Sequence, residues 1–97
     1  MTLPTIIARH LIIEGRVQGV GFRYGVLTEA QQHQVVGWVR NCADGTVEAW
    51  LQGTPENVDA LIQWCRRGPR TASVTGLAVS EQAIDETLSD FQVSRYR

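Results

Sequence analysis

The run Gly15-Arg16-Val17-Gln18-Gly19-Val20-Gly21-Phe22-Arg23 holds the densest chemistry in this sequence. It follows an apolar stretch, Leu11-Ile12-Ile13, with the character of a strand, and it precedes a segment of helical periodicity. Three glycines therefore sit in a tight strand-to-helix connection, with an arginine in the first turn of the helix. Glycine admits positive φ and lets the backbone approach a ligand with no Cβ in the way. Consecutive amides in such a turn, together with the N–H groups of a helix N-terminus, form a cradle for an anion. Arg23 adds a planar, permanently charged fork suited to phosphate oxygens. The stretch reads as a phosphate-binding loop. It is not the Walker sequence, because no Lys-Ser or Lys-Thr pair closes it and the chain contains no lysine. It is not a dinucleotide fingerprint either: the spacing of Gly15, Gly19 and Gly21 differs, and 97 residues leave little room for a doubly wound sheet.

A second constellation begins with Gly37-Trp38-Val39-Arg40-Asn41 and continues with Gly45, Val47 and Gly53. Its polar members are Arg40 and Asn41, a fixed charge beside a neutral amide. Other reactive residue types do not assemble. His10 and His33 show no zinc-ligand spacing with each other or with the cysteines, so no metal is expected. Cys42 and Cys65 lack a Cys-x-x-Cys partner and a neighbouring histidine. Two free thiols are expected, one of them filling core space.

The first run resembles the first signature of the acylphosphatase family, Gly-x-Val-Gln-Gly-Val-x-Phe-Arg, with every fixed position filled. Gly37 to Gly53 is similar to the second signature: Gly, aromatic, small apolar, basic, Asn, three residues, Gly, x, Val, five residues, Gly. Trp64, Gly68-Pro69 and Tyr96 also resemble family members, so the likeness spans the chain in order. The resemblance implies hydrolysis of acyl phosphates to carboxylate and inorganic phosphate, with no cofactor. It implies Arg23 as the phosphate-binding arginine and Asn41 as the residue that orients the attacking water. The loop amides of Gln18, Gly19, Val20, Gly21 and Phe22 would hold the remaining phosphate oxygens. The implied partners are a small-molecule acyl phosphate and inorganic phosphate, the latter as product and inhibitor.

Elementary chemistry agrees with that implication. Phosphoryl transfer depends on positioning and charge stabilisation more than on covalent help from the protein. A carboxylate leaving group is already weakly basic, so a site with neither a histidine nor a carboxylate pair suffices. Two other readings use the same loop: a carbamoyl-phosphate-handling module of larger carbamoyl-transferring proteins, and a non-enzymatic anion-binding domain. The pairing of Arg23 with Asn41 favours the enzyme, since anion binding alone has no use for a water-orienting amide. Some residues depart from the family pattern. Gly25 lies inside the first helix, where glycine costs up to ~1 kcal/mol relative to alanine. His33-Gln34 stands where a Leu-Gly ending is more usual, and Cys42 is expected to make activity thiol-sensitive by crowding the water beside Asn41.

The elements that position these residues follow from periodicity. Residues 5–14 read as a strand, 15–21 as the loop and 22–33 as a helix with Phe22, Val26, Leu27 and Ala30 inward. Residues 35–42 and 46–52 read as strands joined at Ala43-Asp44-Gly45, a hairpin signal. In the second of them Val47, Ala49 and Leu51 alternate with the wetter Thr46, Glu48 and Gln52. Trp50 breaks the polar side as an exposed or partner-facing aromatic. Thr54-Pro55-Glu56 starts a second helix. Its stripe is Val58, Leu61, Ile62 and Cys65, and it ends at Arg66, Arg67 and Gly68-Pro69. Residues 73–83 read as a strand and 84–90 as a surface connection, and Phe91 and Val93 begin a short last strand towards Arg97. The order gives an α+β fold: a ferredoxin-like split βαββαβ sandwich, an antiparallel sheet with two helices on one face and a short extra C-terminal strand.

Composition sets the outer bounds. A chain of 97 residues is one domain, 1–97, with 43% hydrophobic and 20% charged residues, ordinary globular material. A net charge of −1 argues against nucleic acid, which calls for a basic face. No signal peptide is evident and no apolar run approaches the ~20 residues of a membrane span. A cytoplasmic monomer with no membrane partner is expected.

Overall fold

The computed structural model describes residues 3–94; Tyr96 and the run to Arg97 lie outside the described residues. Segments of period two become β1 (Ile7–Arg16), β2 (Val36–Asn41), β3 (Val47–Gly53), β4 (Ser73–Gln82) and β5 (Phe91–Val93). Segments of helical period become α1 (Phe22–Gln32) and α2 (Pro55–Arg67). The five strands form one sheet in the order β4-β1-β3-β2-β5. The expected ferredoxin-like α+β sandwich is present.

The sheet is mixed, not antiparallel throughout. The β1–β3, β1–β4 and β2–β3 ladders are antiparallel, whereas β5 runs parallel to β2, with Gly37 opposite Phe91. Topology explains this. The chain leaves β4 at the end of the sheet where β2 begins, crosses through residues 83–90, and enters β5 in the direction of β2.

The core lies between one sheet face and the two helices. Leu11 and Ile13 of β1, Val39 of β2 and Val47, Ala49 and Leu51 of β3 are buried there. Phe22, Val26 and Ala30 of α1 and Val58, Leu61, Ile62 and Cys65 of α2 cover them. Fully burying one such large apolar side chain stabilises by about 1.5–3 kcal/mol. Phe22 and Trp64 meet edge to face at 5.5 Å and lock the start of α1 to α2.

Gly25 is a packing residue, not a weak point in α1. A Cβ at that position would collide with the Trp64 indole, so the missing side chain lets the helices approach. The end of α1 is a Schellman closure: the Val35 amide donates to the Ala30 carbonyl at 2.8 Å and the Gln34 amide to the Gln31 carbonyl at 3.4 Å. Gln34 takes the left-handed conformation (φ 56°) that glycine usually supplies.

Towards the loop, β1 runs two residues further than its apolar pattern suggests. Its register against β4 shifts between Glu14 and Gly15, and Gly15 sits at φ 121°. A Cβ there would strike the Ser73 carbonyl oxygen. The first glycine of the motif is therefore a bulge residue of β1, which re-aims the chain into the loop.

The sheet face away from the helices is more ordered than its alternating pattern implies. Trp50 is half-buried and stacks on Trp38 at 6.5 Å, with the Arg40 guanidinium 4.9 Å from the Trp38 ring. Gln52 is buried, not wet: its Oε1 accepts from Trp50 Nε1 and from the Asp85 amide, and its Nε2 donates to the Asp85 carbonyl. That exchange pins the connection between β4 and β5. Among the described residues no helix is long and apolar enough to cross a membrane.

Candidate active site

β1 and β2 both run antiparallel to β3, so their C-terminal ends lie at one end of the sheet. The first carries the glycine loop and the second ends on Asn41. The topology thus brings the two motifs together although about twenty residues separate them.

The loop leaves the buried Val17 and passes Gly19 (φ 73°) and Gly21 (φ 82°), both in the left-handed region. Among the described residues, no backbone acceptor pairs with the amides of Gly19, Val20, Gly21 or Phe22. Gly21 is the N-cap of α1, no side chain caps that end, and no acidic residue lies in the first turn. α2 contrasts with it: Thr54 accepts from the Asn57 amide, Pro55 follows, and Glu56 faces the positive end. The N-terminus of α1 therefore keeps its donors and partial positive charge available to an anion.

The loop is tied on both sides. Gln18 Nε2 donates to the Cys42 carbonyl at 2.8 Å and to the Thr46 carbonyl at 2.9 Å. These carbonyls close the β2–β3 hairpin, whose turn Asp44 braces by accepting from the Thr46 amide and hydroxyl. The same two bonds lower the Asp44 pKa. The Gln18 side chain thus works as a strap from the loop to the hairpin. On the other side, Thr71 Oγ1 donates to the Val20 carbonyl at 2.6 Å. Sequence reasoning missed Thr71, which lies in no motif and carries no local signal.

Arg23 is half-buried in the first turn of α1, and its Nη1 lies 3.4 Å from the Ser94 carbonyl. Ser94 in turn donates its amide to the Val39 carbonyl at 2.8 Å, two residues before Asn41. Among the described residues no carboxylate lies within ion-pair distance of Arg23. Asn41 stands opposite Val47 and shares the helix-covered sheet face with Val39. Its Oδ1 is buried and has no hydrogen-bond partner among the described residues.

Cys42 does not crowd Asn41. Strand alternation turns its Sγ to the opposite face, 3.8 Å from Glu48 Oε1. Both cysteines are free, and Cys65 is core filling as expected. Burial pushes its thiol up to about 12, with the Glu29 charge adding to the effect, so it is unreactive.

The class this defines is a ferredoxin-like α+β sandwich whose first strand-to-helix connection presents unpaired amides beside an arginine. Comparison with known proteins makes it specific. The sequence model of the acylphosphatase family matches residues 9–93. An acylphosphatase of Methylococcus capsulatus is 48% identical over 86 residues, 89% of this chain and 94% of the relative. The solved acylphosphatase of Coxiella burnetii superposes with a TM-score of 0.87 at 34% identity, covering 92% of this chain and 93% of that one. Full-length HypF, solved in a phosphate- and nucleotide-bound form, contains a similar region. It aligns at TM-score 0.90 and 29% identity over 98% of this chain and 13% of HypF. The chain belongs to the acylphosphatase family and is a hydrolase.

Proposed function

We propose that the chain hydrolyses the carboxyl–phosphate bond of acyl phosphates by attack of water on phosphorus. The amides of Gln18, Gly19, Val20, Gly21 and Phe22 hold phosphoryl oxygens, and the Arg23 guanidinium supplies the positive charge. Asn41 Oδ1 accepts a hydrogen bond from the attacking water. A bond forms from the water oxygen to phosphorus, the bond from phosphorus to the acyl oxygen breaks, and the electron pair leaves with the carboxylate. The water's proton passes to a phosphoryl oxygen, since an amide cannot accept it.

The observation that carries this reading is the buried, unpartnered Oδ1 of Asn41 at the end of the sheet where Arg23 and the loop stand. A buried acceptor without a donor is destabilising, and a water bound during the reaction gives it one. Arg23 fits the charge role because no carboxylate among the described residues neutralises it. Contacts of this kind to a transferring phosphoryl group are worth about 3–4 kcal/mol, or roughly 10²–10³ in rate. The reading includes a cytoplasmic monomer acting without membrane or nucleic acid; a net charge of −1 supports the last of these.

The test is hydrolysis of benzoyl phosphate in ¹⁸O-labelled water, in the presence of a chelator. The expected result is rapid turnover with one label per inorganic phosphate and none in benzoate. Label in benzoate would place the attack at carbon and overturn the mechanism. Phosphate binding without turnover would leave an anion-binding domain only.

A further inference from the structure

We propose that Thr71 is a positioning residue for the phosphate cradle, setting the orientation of the peptide between Val20 and Gly21. The inference rests on the loop and Arg23 being the phosphate site. The ladder of α1 begins one residue later than the carbonyl in question: Gly21 O accepts from the Gly25 amide at 3.1 Å, while the Val20 carbonyl is turned out of the helix. Thr71 Oγ1 takes that carbonyl at 2.6 Å. In a trans peptide the carbonyl and the following N–H point in opposite directions. Fixing the Val20 oxygen therefore fixes the Gly21 N–H.

Sheet order says which way that N–H points. Thr71 precedes β4, at one edge of the sheet, whereas Arg23 reaches Ser94 beside β5, at the other edge. The Val20 carbonyl is drawn towards the β4 side, so the Gly21 N–H turns towards the side of Asn41 and Arg23. Thr71 is exposed but sits in a closed turn. The Ala72 amide donates to the Pro69 carbonyl at 2.9 Å, closing a turn around it, and Gly68 abuts the Phe22 ring. With glycine at Gly21 nothing steric stops the peptide from turning over, because a φ of 82° is one of several conformations open to it. A hydroxyl from a distant turn supplies the missing restraint. Gln18 anchors the other flank of the loop through its side chain, so the two straps together hold the amides converging.

The experiment compares wild type, Thr71→Val and Thr71→Ser with Arg23→Ala, titrating each with inorganic phosphate by amide NMR and measuring turnover of benzoyl phosphate. Valine keeps the shape and removes the donor; serine restores it. Thr71→Val is expected to weaken phosphate about fivefold, the worth of one neutral hydrogen bond. It should also reduce the phosphate-induced shift of the Gly21 amide. Thr71→Ser should return both to within about twofold of wild type. Wild-type affinity and an undiminished Gly21 shift in Thr71→Val, with Arg23→Ala impaired, would overturn the proposal and leave the phosphate site standing. Serine behaving like valine would overturn it too, by showing that threonine acts through packing. A wild type whose loop amides do not respond to phosphate would overturn the site reading and this inference with it.

Discussion

A buried carbonyl oxygen without a donor costs about 1–3 kcal/mol, and folded proteins rarely leave one. Among the described residues Asn41 Oδ1, at the site end of the sheet, is the buried side-chain oxygen with no protein donor, while the polar side chains on the opposite face are closely matched. Glu48 is the clearest example of that matching. Burial raises its carboxyl, but hydrogen bonds from His10 and Arg40, each at 2.6 Å, outweigh this and hold its pKa below the ordinary 4.5. Folded Glu48 thus releases its proton more readily than in the unfolded chain. Its contribution to stability is complete above pH 4.5 and disappears as the pH falls through the lower folded value. Glu48→Gln is therefore expected to lower stability by about 2 kcal/mol at pH 7, the scale of a charge-assisted hydrogen bond. The gap to wild type should close below pH 4.5. Thermal midpoints measured from pH 7 down to pH 3 check this; a gap constant across that range would contradict it.

At the scale of elements, α1 carries both the loop's donors and the arginine, so its placement decides the site geometry. Gly25 within it and Gln34 just past its C-terminal end look unfavourable from helix propensity or backbone conformation alone, and packing reverses that judgement for Gly25. Gly25→Ala would gain up to ~1 kcal/mol from propensity in an isolated helix. Here its Cβ meets the Trp64 indole, so a net loss of about 1–3 kcal/mol is expected from overpacking. Gln34 remains a true liability, since a left-handed conformation costs a side-chain-bearing residue roughly 1–2 kcal/mol. Gln34→Gly should recover about 1 kcal/mol of it. Urea unfolding of the two variants gives opposite signs on this account. A stabilised Gly25→Ala would show that Trp64 yields without cost.

For the whole molecule, what could be read from sequence was whatever local period and motif spacing encode. The stripes of α1 and α2, the Asp44-Gly45 hairpin and the βαββαβ order of elements follow from those. Contacts between distant segments left no such trace. Thr71 reaches Val20 across 51 residues and Gln52 reaches Asp85 across 33, and neither residue type differs from an ordinary surface threonine or glutamine. The parallel entry of β5 depends on where the preceding connection crosses the sheet, which a three-residue strand cannot reveal. The use of Gly25 depends on an indole 39 positions away. From sequence alone Gly15 reads as a loop residue, because a bulge and a turn glycine look alike until the partner strand is known.

In the proposed mechanism labour is divided between Arg23, which would hold the phosphoryl group, and Asn41, which would hold the water. Parallel measurement of turnover and of phosphate affinity in Arg23→Ala and Asn41→Ala tests it most directly. Arg23→Ala should lose both, whereas Asn41→Ala should lose about 10²-fold or more in turnover and bind phosphate within about twofold of wild type. An Asn41→Ala enzyme that turns over normally, or that loses phosphate as severely as Arg23→Ala does, would contradict it.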